Sequence, residues 1–354
     1  MLPAMQARAT GHDQAASFPA EDLAALRDEG ALAAVLPVRL GGLGAGTEPA
    51  GAVLVRDVLQ WLGRGNLSVA RLYEAHVNAL RLIERFGSAE QRAQAAADVF
   101  AGHLFGLWVT DPPGRPGLQM RGQALAGQAL AGSKGPCSGA GHCTRALVTV
   151  GTESGVRMAV VGLSGNERVQ AVAGLQGMRA AANGTVALDG ARVLFWLGEV
   201  GDYLREPDFS CGAWRGSAAA SGGLAALIDA VGEGLRRRGQ GEAEMQLARF
   251  GELLIARETA QLWVARAAEV AEAETGPVEE RVALVNLARI AVESAGLDAI
   301  RLAQRALGLA AFVSGHSVER IMRDLATYLR QPAPDAVLVE AASCFLRLGQ
   351  TAPA

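Results

Sequence analysis

The sequence predicts an α+β protein that is mostly α: an N-terminal helical domain, a middle antiparallel β-domain and a C-terminal helical bundle. Three observations lead there. Apolar residues recur at helical spacing up to about residue 104 and again from about residue 217. Between those stretches glycine and proline accumulate, and short β-branched runs alternate with polar residues. The late helical patterns are long and meet at short Gly and Pro turns, which suits a bundle better than a mixed sheet. The expected domains are 1–104, helical; 105–205, a small β-barrel-like unit; and 206–354, a bundle of four-helix type. A chain of 354 residues is long for one core and suits two or three packed units.

In the first domain, Leu23, Leu26, Leu32 and Leu36 lead into Pro37, and a second apolar run spans Val53 to Trp61. Gly63 to Leu67 interrupt it, and Ser68 is placed to cap a helix running through Tyr73, His76, Leu80 and Ile83. Ser88 with Gln91 three positions on has the form of a capping box. In the middle domain the strands are expected at Ala146 to Val150, Met158 to Val161, Val169 to Val172 and Thr185 to Leu188, with a turn at Asp189 and Gly190 before Val193. The bundle helices are drawn through Leu224 to Leu235, Glu242 to Ala273, Val278 to Leu309, Val318 to Leu329 and Asp335 to Leu346.

Composition narrows the function classes. Half the residues are hydrophobic and 19% are charged, which argues against disorder. The net charge is −3 and the basic residues are scattered, apart from Arg236 to Arg238, so no nucleic-acid partner is expected. Cys137, Cys143, Cys211 and Cys344 lack metal-site spacing; they are read as reduced and structural, with no metal site. No secretory signal and no membrane span is evident, which makes cytoplasm the expected location.

Several segments, taken in this order, resemble those of the acyl-CoA dehydrogenase superfamily. Pro37 to Gly44 (PVRLGGLG) and Phe86 to Arg92 (FGSAEQR) are similar to two early stretches of that family, and Trp108 to Gly114 (WVTDPPG) to the segment that opens its β-domain, with Asp111 for the usual Glu. Gly132 to Gly141 (GSKGPCSGAG) resembles the strand and turn whose hydroxyl approaches the flavin ring, although Pro136 replaces the family's aromatic. Gly177 to Arg179 (GMR) resembles a further turn, and Gln304 to Asp324 (QRALGLAAFVSGHSVERIMRD) resembles the glycine-rich turn and Arg-Asp helix that follow. There Gly308 is retained, while Leu309 and Ala311 stand where the family has glycines.

The resemblance implies a flavoprotein oxidoreductase with FAD as cofactor, Trp108, Thr110 and Ser138 near the ring, and Gly308 and Arg238 near the diphosphate. It also implies a homodimer or homotetramer, since the family completes each flavin site across subunits. The family reaction oxidises a CH–CH bond of an acyl thioester, which needs a carboxylate within reach of the α-carbon. Eight residues after Asp324, where that Glu is usual, stands Pro332; the family's other base position, before an arginine opening the bundle, holds Trp214 beside Arg215. Neither base is present.

Three readings follow. Asp335, nearest in sequence, replaces the base in a dehydrogenase acting on a small-molecule or acyl-CoA-like substrate. Alternatively the chain resembles the superfamily's flavin monooxygenases, with Arg323, Asp324, Thr327 and Pro332 matching their Arg-Asp-x-x-Thr…Pro segment, and takes electrons from a reductase partner. The last alternative is a non-catalytic binding or scaffolding relative. His76, His103 and His142, the cysteines and the tryptophans each have packing roles as their plainer explanation.

Overall fold

The computed structural model describes residues 1–121, 129–273, 275–347 and 349. Helices α1 (Leu2–Ala15), α2 (Ala20–Asp28), α3 (Ala52–Gly65), α4 (Leu67–Phe86) and α5 (Ala89–Phe100) come first. Helix α4 is buried along most of its length, from Leu67 to Ile83, because it lies between the β-domain and the bundle. Its N-cap is Asn66, whose Oδ1 accepts the Ser68 N–H at 3.0 Å. Ser68, expected as the cap, sits inside the first turn, because Asn66 already has the extended backbone and side-chain oxygen a cap requires. At α5 the Ser88/Gln91 capping box forms as read from sequence.

Strands β1 (Phe105–Trp108), β2 (Gln119–Arg121), β3 (Ala129–Ala131), β5 (Arg145–Thr152), β6 (Gly155–Gly162) and β9 (Arg192–Leu197) form one sheet in the order β3-β2-β5-β6-β9, with β1 pairing β5. Strands β4 (Ser133–Cys137), β8 (Gly184–Ala187) and β7 (Val169–Ala171) form a second sheet. Most pairs are antiparallel as expected, but β1 joins β5 in parallel, Phe105 opposite Arg145 and Trp108 opposite Val148, and β2 also meets β5 in parallel, Gln119 opposite Gly151. The long excursion between those strands allows it, since parallel neighbours need a crossover rather than a hairpin. Buried Ala146 to Val150 and Met158 to Val161 give this sheet its core.

The bundle comprises α6 (Asp208–Cys211), α7 (Ala213–Arg237), α8 (Glu244–Glu272), α9 (Val278–Leu307), α10 (Ser317–Tyr328) and α11 (Pro334–Arg347). Helix α7 begins eleven residues before the expected Leu224. Its Gly and Ser residues weaken it as helix sequence in isolation, yet tertiary packing selects it. A Cβ on Gly222 would lie 2.1 Å from the Gln60 carbonyl oxygen, and one on Gly63 2.2 Å from that of Ala219. The small residues thus let α3 and α7 approach backbone to backbone. Helix α1 was not expected from the sequence: its apolar pattern is faint, and only Met5, Ala9 and Asp13 are buried along it.

Candidate functional site

The residues singled out around the β-domain meet at the junction of β1, β4 and α4. The Trp108 indole is 2% exposed, and its Nε1–H donates to the Ser138 carbonyl at 2.9 Å. Just beyond β1, the exposed Thr110 accepts the Gly135 N–H on its carbonyl at 2.9 Å. Asp111 is turned to the buried Lys134, whose Nζ also donates to Thr149 Oγ1. Trp108, Thr110 and Ser138 are therefore neighbours.

The half-buried Ser138 hydroxyl donates to Asn183 Oδ1 at 2.9 Å and accepts from Arg71 Nε at 3.4 Å. Asn183 is itself held, its Nδ2 donating to the Met178 carbonyl at 3.1 Å. Met178, in the left-handed region at φ 57°, donates its N–H to Asp324 Oδ1 on α10. Gly177 permits the approach, because a Cβ there would lie 2.1 Å from the Arg323 carbonyl oxygen.

From Ser138 a polar chain runs into the protein. Arg71 Nη1 pairs with Glu74 Oε2 at 2.5 Å, Tyr328 OH donates to the same oxygen at 3.0 Å, and Asn78 Nδ2 donates to Glu74 Oε1 at 2.9 Å. Burial and the adjacent Glu74 charge push the Tyr328 phenol up, so it stays protonated as a donor. Glu74 was not singled out in the sequence. It sits among the periodic residues of α4, and only the fold reveals that its face of the helix meets Tyr328.

Beyond Glu74 opens a cavity of about 520 Å³ between α4, β1 and the near ends of α6, α7, α8 and α9. Leu82, Leu107 and Val278 give it apolar wall, while Arg81, Arg215, Glu272 and Arg281 give it charge. Arg215, 4% exposed, donates to Glu272 Oε1 at 2.7 Å and Asn78 Oδ1 at 3.1 Å, and desolvation lowers its pKa. Trp214, standing where one base was sought, is fully buried and also donates to Glu272 Oε1, at 3.1 Å. Glu272 Oε2 lies 3.1 Å from Arg81 as an ion pair without hydrogen-bond geometry.

The remaining residues lie elsewhere. Arg238 Nη1 donates to the Leu307 carbonyl at 2.8 Å, which brings it beside Gly308, and Arg238 and Leu307 line a second cavity of about 510 Å³. Leu309 is 82% exposed at that turn. Asp335 is exposed on the first turn of α11, which packs on α9, and Pro332 offers its carbonyl to Arg289.

The histidines have structural partners. His76 is fully buried, accepting the Phe105 N–H on Nδ1 at 3.2 Å and contacting the Leu32 carbonyl through Nε2 at 3.2 Å; burial lowers its pKa to about 4. His142 stacks on Phe18, with ring centroids 4.0 Å apart. All four cysteines are free and buried, and burial raises the Cys143 thiol to about 12.

A family model for the acyl-CoA dehydrogenase N-terminal domain matches residues 4–103. No curated protein matches the chain. Among solved structures, it is similar over 99% of its length to 94% of a nitrososynthase from Micromonospora carbonacea var. africana, at 22% identity and TM-score 0.80. Butyryl-CoA dehydrogenase from Megasphaera elsdenii is 17% identical, with 97% of this chain and 94% of that chain covered and a TM-score of 0.83. FMN-bound TdsC from Paenibacillus sp. A11-2 is 18% identical, with 100% and 97% covered and a TM-score of 0.82.

Proposed function

We propose that this chain, which has the acyl-CoA dehydrogenase fold and matches that family's N-terminal domain over residues 4–103, is a flavin-dependent oxidoreductase acting on a small molecule in the seam cavity. The observation that carries the reading is the continuous polar path from Ser138 through Arg71 and Glu74 into a cavity of about 520 Å³. Its volume falls in the range of small-molecule sites, about 300–1,000 Å³.

The donor set fits a flavin. A hydroxyl at Ser138 and a guanidinium at Arg71 suit the polar edge of a planar ring, and Trp108 and Thr110 stand beside them. FAD is the form the family resemblance implies, and Arg238 and Gly308 are the residues proposed to meet its diphosphate from a second copy. Bound there, a flavin would supply two-electron transfer to or from the substrate or oxygen. The rest falls to the protein: Ser138 orients, Arg71 and Tyr328 hold the Glu74 side chain fixed, and Leu82, Leu107 and Val278 give the substrate an apolar wall.

Within that function, the geometry favours oxygenation over α,β-dehydrogenation. Dehydrogenation needs a free carboxylate at the α-carbon. Glu74 has three donors, Glu272 is bound by Arg215 and Trp214, and Asp335 faces solvent on α11. Oxygenation requires a dry pocket and an external electron source, a flavin reductase, rather than a strong base.

The proposed assembly is a homodimer or homotetramer. Helix α8 leaves Leu247, Ile255 and Leu262 more than half exposed on one side, and an apolar outer face of that kind asks for a partner surface. Among the described residues no helix is long and apolar enough to cross a membrane, and the proposed location remains the cytoplasm.

Purified protein is expected to be yellow, and its extracted cofactor identifies FAD or FMN. NADH- and reductase-dependent oxygen uptake in the presence of substrate supports oxygenation, whereas anaerobic bleaching by acyl-CoA thioesters supports dehydrogenation. Colourless protein that takes up neither flavin refutes the proposal and leaves the binding or scaffolding reading.

A further inference from the structure

We infer that Arg71 sets the electron affinity of the flavin proposed to sit at Ser138, and that its ion pair with Glu74 moderates the effect. The inference rests on the reading of Ser138 as the flavin's neighbour and deepens it by assigning the charge that acts on the ring.

The first observation is placement. Among the described residues, Arg71 is the only charged side chain that hydrogen-bonds Ser138, through Nε at 3.4 Å. Its own side chain keeps 33% of its surface accessible. The groups around the guanidinium are less open: Glu74 and Tyr328 are buried, and Ser138 and Tyr203 are half-buried. The accessible part of Arg71 therefore looks into a recess between α4, the end of β4 and α10, and not onto open surface. Tyr203, which lines the seam cavity, feels the Arg71 charge, so this recess adjoins the cavity.

The second observation is the order of the charges. Arg71 Nη1 pairs with Glu74 Oε2 at 2.5 Å, and Glu74 is held from behind by Tyr328 and Asn78. The positive end of the pair thus meets Ser138, and the negative end lies one guanidinium further away. The Glu74 charge raises the Arg71 pKa more than desolvation lowers it, so the guanidinium keeps its proton. Other charges nearby have partners of their own: Lys134 pairs with Asp111, and Asp324 with Arg320.

The third step is chemical. Two-electron reduction of a flavin with uptake of one proton leaves the ring one unit more negative than before. A fixed cation at the polar edge favours that reduced form, and a carboxylate behind the cation opposes it. The nearer charge dominates, so the net action of the pair is that of Arg71, reduced by Glu74. Trp108, Thr110 and Asn183 bring no charge to this edge and leave the balance to the pair. Either charge removed alone from a partly buried site shifts such an equilibrium about ten- to hundredfold, or about 30–60 mV for a two-electron couple.

The test is an anaerobic titration with dithionite against reference dyes, on protein reconstituted with FMN and, separately, with FAD. Arg71→Gln should lower the midpoint potential of the bound flavin by that amount, and Glu74→Gln should raise it. General loss of structure cannot produce opposite shifts from two contacting residues. Arg71→Lys, which keeps the charge, should stay nearer the parent than Arg71→Gln. Tyr328→Phe disturbs the same network without removing a charge and should move the potential much less. Where Arg71→Gln does not hold flavin, a raised potential in Glu74→Gln supports the inference and an unmoved or lowered one overturns it. Shifts in the same direction, potentials unmoved by either charge, or an effect of Tyr328→Phe as large as that of Arg71→Gln also overturn it. Parent protein that takes up neither flavin refutes the oxidoreductase reading and this inference with it, whereas flavin-loaded protein indifferent to both charges refutes this assignment alone.

Discussion

Replacing Gly222 with alanine should destabilise the protein, the reverse of what the substitution does in an ordinary helix. In an open helix interior alanine is favoured over glycine by about 1 kcal/mol. At Gly222 the added Cβ would stand 2.1 Å from the Gln60 carbonyl oxygen, 2.8 Å from its carbon and 3.0 Å from the Arg64 nitrogen. All three are backbone atoms of α3, so no side-chain rotation relieves the clash. An ordinary carbon–oxygen contact needs more than about 3 Å, and α3 and α7 must therefore separate by roughly 1 Å, loosening a contact that also carries Leu59, Leu62 and Leu224. Overpacking typically costs about 1–3 kcal/mol, and a clash with backbone lies at the upper end. Net of the helix preference, about 2 kcal/mol of destabilisation is expected, or a fall in Tm of several degrees. The control is Gly251→Ala on α8, where an added Cβ meets nothing within 4 Å and stability should rise by up to about 1 kcal/mol. Scanning calorimetry on both variants decides. If Gly222→Ala melts at or above the parent temperature, the close approach of α3 and α7 is wrong.

Acid should weaken the fold through His76. Its folded pKa of about 4 lies below the unfolded value, so the unfolded chain takes up the proton first; stability is unaffected above about pH 6.5, falls as pH drops, and has lost about 3 kcal/mol near pH 4. Urea unfolding of the parent and of His76→Gln, which keeps an acceptor and a donor but does not titrate, should show that part of the slope vanish. Tyr328→Phe removes the phenol that donates to Glu74, a hydrogen bond to a buried charge worth about 1.5–3 kcal/mol, measurable as a lower denaturation midpoint at unchanged m-value. Ser88→Ala dismantles the α5 capping box and should cost about 1 kcal/mol in the same measurement, with no change in bound flavin.

Strands β5 to β8 were legible because each is bounded by its own turn chemistry, whereas β1, β2 and β3 were not drawn from the sequence. Expected Ala146 to Val150 and Met158 to Val161 lie inside β5 and β6, and the Asp189–Gly190 turn precedes β9. The α5 start was equally plain, since a capping box is local. What the sequence hid depends on distant neighbours. Helix α1 has little apolar pattern because it docks by a few residues; the beginning of α7 looks like loop because its glycines serve Gln60 and Arg64, some 160 positions earlier. The seam cavity draws on α4 and on the bundle, so no local spacing announces it, and Glu74 reads as one polar position on a helix. Trp108, Thr110 and Ser138 could be proposed together only because their segments resemble one family; their adjacency is a property of the parallel β1–β5 pair and the strand β4 beside it.

Helix α10 reaches the Ser138 neighbourhood by two routes: Asp324 fixes Met178, hence Asn183 and the serine hydroxyl, and one turn later Tyr328 fixes Glu74. A single rod thus carries the alignment of both ends of the path. Sliding or rotating it would displace hydroxyl and carboxylate in concert, so damage to this helix should switch the pocket off as a unit instead of eroding it contact by contact.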